Sequence, residues 1–141
     1  MSKNGKILKI NLTNQQTDVM EISVDWYRDY IGGEGFAVKI LYDYLEAGLD
    51  PYSEKNMLVF ATGPLTGTKA PCSGRLCIGY KSPLTGTIGM TNVGGHLAPM
   101  IKRAGYEVII VEGKSEKPVY ISINNDVVEF KDATNLWGLD T

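Results

Sequence analysis

The chain has 141 residues, 43% of them hydrophobic, and a net charge of −2. That length suits one domain with a true core. No apolar run approaches the roughly 20 residues of a membrane helix, no apolar stretch near the N-terminus marks a secretory signal, and no basic tract favours nucleic acid. The cytoplasm is the expected address.

Residues 7–12 alternate, with Leu8, Ile10 and Leu12 apolar. Residues 18–24 alternate again, with Met20, Ile22 and Val24 on one face. Two half-buried strands around the polar 13–16 turn predict a hairpin. Ser23 or Asp25 can then cap a short helix through Trp26, Tyr27 and Tyr30. Gly32-Gly33-Glu34-Gly35 breaks it. A second helix is predicted over 36–47, where Phe36, Ile40, Leu41, Tyr44 and Leu45 form an apolar stripe and Gly48 is the stop. The glycine run ahead of it reads as a turn first and an anion loop second. It follows no strand directly and it carries an acid, unlike a dinucleotide fingerprint.

Residues 57–61, MLVFA, are the pattern of a strand buried on both faces. From 61 to 95 the chain carries eight glycines and repeats Pro-Leu-Thr-Gly-Thr at 64–68 and 83–87. Glycine supplies positive φ, and proline fixes φ and removes a donor. Each copy therefore predicts a tight turn at a strand end. Strands are predicted over 75–80 and 87–91, on either side of the second copy. The segment also holds Lys69, Arg75, Lys81 and several hydroxyls. With exposed backbone N–H groups these are the materials of phosphate binding. They suit a glycine-rich hairpin without a ligand equally well.

Asn92 to Gly95 leads into a helix over 96–104, with Pro99 in its first turn and Gly105 at its end. A strand follows over 108–111. A hairpin is predicted from strands 119–124 and 127–131 around Asn124-Asn125-Asp126. Residues 134–138 could close with one helical turn. About eight strands to three helices, without strict βαβ alternation, predicts an α+β fold with a mixed or antiparallel sheet.

Cys72 and Cys77 are the only cysteines. Zinc or iron–sulfur sites usually take four ligands, so the pair completes neither alone. They read as reduced, partly buried thiols, and a disulfide stays open.

GPLTGT at 63–68, Ala70-Pro71, Gly74-Arg75, KSPLTG at 81–86 and Asn92-Val93-Gly94-Gly95 occur in that order. Ala104-Gly105-Tyr106, VEG at 111–113, KPVY at 117–120 and Leu136-Trp137-Gly138 follow. This ordered set, spread over nearly the whole chain, resembles the N-terminal domain of the tungsten-dependent aldehyde:ferredoxin oxidoreductases. The resemblance implies one domain over residues 1–141 that continues past Thr141 in the family.

It implies part of an oxidoreductase that converts aldehydes to carboxylic acids and passes electrons to ferredoxin. The implied cofactors are tungstopterin, a bis-molybdopterin holding tungsten or molybdenum, with magnesium and a [4Fe–4S] cluster. Cys72 and Cys77 do not match the cluster's cysteines, which lie in later domains. Arg75 matches the arginine set between a pterin and the cluster. Asn92 matches the residue whose main-chain oxygen helps hold magnesium between the pterin phosphates. Gly94 matches a neighbouring cofactor contact, and Val93 and Gly95 follow by adjacency. From the residues alone, Arg75 could instead be a surface arginine at a strand start, and Asn92 a helix cap. Lys69 and Lys81 read as solvated turn residues, and His96 as a helix-start residue rather than an acid–base catalyst.

The implied partners are the remaining domains or a partner subunit, and ferredoxin. The chain alone is then inactive: a piece of the enzyme, a separately encoded non-catalytic pterin-binding or assembly module, or a domain that kept the fold and lost the ligand. Surface meant for cofactor and later domains would make an isolated piece self-associate as a homo-oligomer.

Overall fold

The computed structural model describes residues 5–140. Eight strands and three helices are formed among them. Strands β1 (Lys6–Asn11) and β2 (Gln16–Glu21) make the expected hairpin, with β2 ending before Ile22. Asn11 closes its turn by accepting from the N–H groups of Thr13 and Asn14. Ser23 caps helix α1 (Val24–Tyr30), accepting from the N–H of Trp26. Val24 thus opens a helix instead of continuing the strand face, and it is exposed.

Helix α2 (Glu34–Tyr44) starts two residues before the predicted start and stops earlier than Gly48 requires. Gly33, at φ +54, is its N-cap, and Leu45 turns extended at its C-cap. Phe36, Ala37, Ile40 and Leu41 are buried, while Tyr44 is exposed. Tyr44 sits in the last turn of α2, where its ring lies over the ammonium of Lys9 on β1, 5.7 Å from the ring centroid.

Strands β3 (Met57–Thr62), β4 (Leu76–Lys81) and β5 (Ile88–Val93) follow. After helix α3 (Leu97–Arg103) come β6 (Val108–Glu112), β7 (Val119–Asn124) and β8 (Val127–Asp132). Residues 134–138 form hydrogen-bonded turns rather than a helix, with Trp137 donating to the carbonyl of Ala133.

One six-stranded sheet runs β2-β1-β6-β3-β4-β5. Only the β1–β6 pair is parallel. Side chains alternate between faces. On one face Ile7, Met57, Val59, Ala61, Cys77, Val108 and Ile110 meet Phe36, Ala37, Ile40 and Leu41 of α2. Trp26 and Tyr27 of α1 pack on Phe36, with ring centroids 5.9 and 5.3 Å apart. On the other face Leu8, Ile10, Leu76 and Ile109 meet Ala98 and Ile101 of α3 and the apolar side of the β7–β8 hairpin. Tyr106 donates to the carbonyl of Asn125, which pins that hairpin's tip at 3.2 Å.

The central strands β3 and β6 are therefore covered on both faces, as the MLVFA run predicts, with one exception. Leu58 is 43% exposed. Among the described residues no helix is long and apolar enough to cross a membrane.

Candidate functional site

The two copies of Pro-Leu-Thr-Gly-Thr lie at opposite ends of the sheet. The first leaves the end of β3, and the second joins β4 to β5. Since β3 and β5 both run antiparallel to β4, the end of β3, the start of β4 and the end of β5 share one rim. Arg75 and Asn92 to Gly95 stand on that rim, beside the first copy.

In the first turn Gly67 takes φ +77. The buried Thr66 accepts from the N–H of Gly63 at 3.1 Å and donates to the carbonyl of Arg75 at 3.4 Å. Thr68 donates to the carbonyl of Leu65 and accepts from the N–H of Ala70. The N–H groups of Gly63, Thr66, Thr68 and Ala70 are thus spent inside the turn. Those four donors are not available to a phosphate.

Thr62, just ahead of it, is fully buried. Its carbonyl accepts from the N–H of Gly33 at 2.9 Å, which brings the glycine run against the first turn. Its hydroxyl donates to the carbonyl of Glu107 at 2.8 Å. The Glu107 carboxylate pairs with Lys102 of α3, and both side chains are only 17% exposed. Tyr27 reaches the same carboxylate. Burial first, and then the Glu107 charge, push its hydroxyl up to about 12. The sequence gives this network no motif, because its members come from β3, α1, α3 and the start of β6.

Across the rim, Leu76 pairs with Val93 and Cys77 with Asn92. The second turn reveals the alternation of this ladder. Ser82 donates its N–H to the carbonyl of Thr87, which makes theirs a hydrogen-bonded pair. Bonded and non-bonded pairs alternate along antiparallel strands. Cys77–Asn92 therefore falls on a non-bonded pair. The N–H and C=O of Asn92 point away from β4, off the sheet's open edge. Asn92 lies within β5, one residue before its end, instead of leading a helix, and it is not the cap of α3. His96 is the N-cap of α3, without a side-chain cap bond.

Arg75 and Asn92 line one recess of about 260 Å³, together with Gly33, Glu34, Gly63, Thr66 and Cys77. Val93, Gly94 and Gly95 do not line it; they carry the rim onward to α3. A Cβ on Gly74 would sit 2.8 Å from the carbonyl oxygen of Gly95, so only glycine lets the two backbones pass so close. Gly95 itself takes φ +113, and neither Gly94 nor Gly95 has any atom within 4 Å of where a Cβ would stand. That side of the rim is open to a ligand.

The thiols divide. Cys72 is exposed at φ +56, whereas Cys77 is buried, and both are free. Burial first, then the Glu34 carboxylate, raises the Cys77 thiol, and its sulfur contacts Met90 sulfur at 3.7 Å. It is an inert wall of the recess. Among the described residues no group of three His, Cys, Asp or Glu could hold a metal ion. Lys69 and His96 lie outside the recess, and Lys81 sits at the other end of β4, beside Asn56.

A family model described as "Aldehyde ferredoxin oxidoreductase, N-terminal domain" matches residues 7–141. The chain belongs to this family. It is 45% identical over 134 residues to a tungsten-containing aldehyde ferredoxin oxidoreductase of Pyrococcus horikoshii, covering 95% of this chain and 22% of that protein. An aliphatic sulfonate oxidoreductase, WOR-like subunit, of Pyrococcus furiosus is 37% identical over 139 residues, covering 96% and 22%. Among solved structures, the active-site complex BamBC of benzoyl coenzyme A reductase superposes with a TM-score of 0.92 at 39% identity. That match covers 95% of this chain and 20% of the other. This N-terminal domain thus spans about a fifth of the length of the relatives it matches. Its α+β architecture, eight strands and three helices among the described residues, is the family's fold.

Proposed function

We propose that this domain forms one wall of a tungstopterin site in an enzyme that oxidises aldehydes to carboxylic acids. The observation that carries the reading is the meeting of Arg75 and Asn92 at one recess beside the open Gly94-Gly95 rim. The donor chemistry fits. A guanidinium offers several N–H donors at fixed charge to a phosphate or a pterin ring. The outward main-chain oxygen of Asn92 is a hard ligand of the kind magnesium takes. Val93, Gly94 and Gly95 present backbone without crowding, so a flat ligand can approach closely.

The recess is about 260 Å³, whereas ligand pockets usually measure about 300–1,000 Å³. The domain therefore supplies a seat, and the other four-fifths of the enzyme supplies the lid. The tungsten or molybdenum centre carries the redox chemistry when bound, and the protein orients it. Arg75 holds negative charge in place there, and a fixed cation next to an iron–sulfur cluster also raises its potential. The cluster ligands, the aldehyde pocket and the docking of ferredoxin belong to the remaining domains or to a partner subunit. A cytoplasmic location belongs to the same reading.

The test is Arg75→Ala in the holoenzyme. Tungsten per polypeptide should fall at least tenfold; full metal content would remove the reading. A second reading is a separately encoded non-catalytic module that binds or assembles the pterin. Intact mass of the polypeptide from its source cells separates the two.

A further inference from the structure

We infer that Thr66 is a positioning residue for Arg75. The inference rests on the reading of Arg75 as a cofactor contact. Arg75 is the last residue before β4 and is itself exposed. A long side chain leaving an exposed strand start has many directions open to it, and its mean direction is set by its backbone. One side-chain contact holds that backbone from the recess side. The Thr66 hydroxyl takes the N–H of Gly63 and gives its own proton to the carbonyl of Arg75. Both roles of the hydroxyl are used, and the side chain is 6% exposed. Thr66 also lines the recess together with Arg75 and Asn92.

The second copy of the pentapeptide supplies the contrast. Its equivalent residue, Thr85, is exposed and shares its hydroxyl with Thr87 at 3.0 Å. There, the capping role passes to Ser82, whose hydroxyl accepts from the N–H of Thr85. The turn itself therefore does not need a buried threonine at this position. The first turn has one because glycine stands where the second has serine, and because the strand opposite carries Arg75.

The experiment is a double-mutant cycle on the holoenzyme, read as the rate at which tungsten and released pterin leave the protein on dialysis. Thr66→Val keeps the shape and removes the hydroxyl. It should speed the loss about threefold to tenfold, the worth of one buried hydrogen bond. Thr66→Ser should restore retention to within about twofold. Thr85→Val should leave retention unchanged. In an Arg75→Ala background, Thr66→Val should add nothing, because its effect passes through Arg75.

The proposal is overturned if Thr66→Val retains cofactor as the parent does, if Thr66→Ser fails like Thr66→Val, or if the Thr66 and Arg75 effects simply add. Additive loss would make Thr66 a plain structural residue. The two readings fail differently: wild-type retention in Arg75→Ala removes the cofactor role itself, while loss in Arg75→Ala with none in Thr66→Val removes only the positioning role. Should Thr66→Val not accumulate, Thr66→Ala gives the same comparison.

Discussion

The same five residues, Pro-Leu-Thr-Gly-Thr, build two turns with different work. At residues 83–87 the turn is a hairpin loop: Ser82 and Thr87 close the ladder, Gly86 takes φ +68, and nothing lies within 4 Å of where its Cβ would be. At residues 64–68 the turn is wedged between α2, α3 and the start of β4. Gly67 takes φ +77, and a Cβ there would stand 3.3 Å from Cβ of Lys102. The shared sequence sets a left-handed glycine in both places. The surroundings decide that one becomes a connector and the other the wall of a site.

The comparison breaks most visibly at the support beneath the first turn. Lys102→Met takes the paired cation from the Glu107 carboxylate at 17% exposure and leaves it only the hydroxyls of Thr62 and Tyr27. Breaking a buried ion pair costs about 3–5 kcal/mol. This partly exposed pair is expected to cost about 2–3 kcal/mol in urea unfolding, because water screens what burial does not. No ion pair touches the second turn among the described residues, so no change of this size is expected from its side chains. A loss below about 0.5 kcal/mol would class the pair with ordinary surface pairs.

The glycines sharpen the contrast. Gly86→Ala should cost about 1 kcal/mol, the strain of a left-handed backbone alone. Gly67→Ala should cost about 2 kcal/mol, since the same strain adds to crowding against Lys102. Equal losses in thermal unfolding would mean that α3 yields freely and the first turn is no more confined than the second.

The smallest effect is one of pH. Tyr27 holds its proton more tightly folded, at about 12, than at its ordinary 10.0. A raised folded value adds stability that is fully present below pH 10 and is lost as pH rises through 12. The parent should therefore lose stability over that window more steeply than Tyr27→Phe. Parallel curves would show that folding does not hold the hydroxyl above its ordinary value. Nothing comparable exists at the second turn, where no tyrosine meets a carboxylate among the described residues.

Much of this was legible locally. Period-two alternation marked β1 and β2, Ser23 or Asp25 marked the start of α1, and Asn124-Asn125-Asp126 marked the β7–β8 turn, where Asn125 takes φ +53. The paired pentapeptide marked both turns. What stayed hidden was pairing across distance. No local pattern says that β6 inserts between β1 and β3, or that Thr62, Lys102 and Glu107 converge. The boundary of β5 was misread for a related reason. Asn92 has poor strand propensity, but Cys77 opposite it supplies a partner, and tertiary pairing overrides propensity. Arg75 was visible as a residue, but the contact that aims it depends on which copy of the turn lies beside it.

The parallel register of β1 with β6 also sets an order of events during synthesis. Ile7 pairs with Val108, so the two strands lie 101 residues apart in the chain. At about 5–20 residues per second, β1 leaves the ribosome roughly 5–20 seconds before its partner exists. The β4–β5 hairpin, which carries Arg75 and Asn92, needs only about 1–10 microseconds once made. The nascent chain would then hold its ligand-facing rim early and its middle strand last. During that wait β1 and β3 both show unpaired edges, and the domain would lean hardest on chaperones just before β6 arrives.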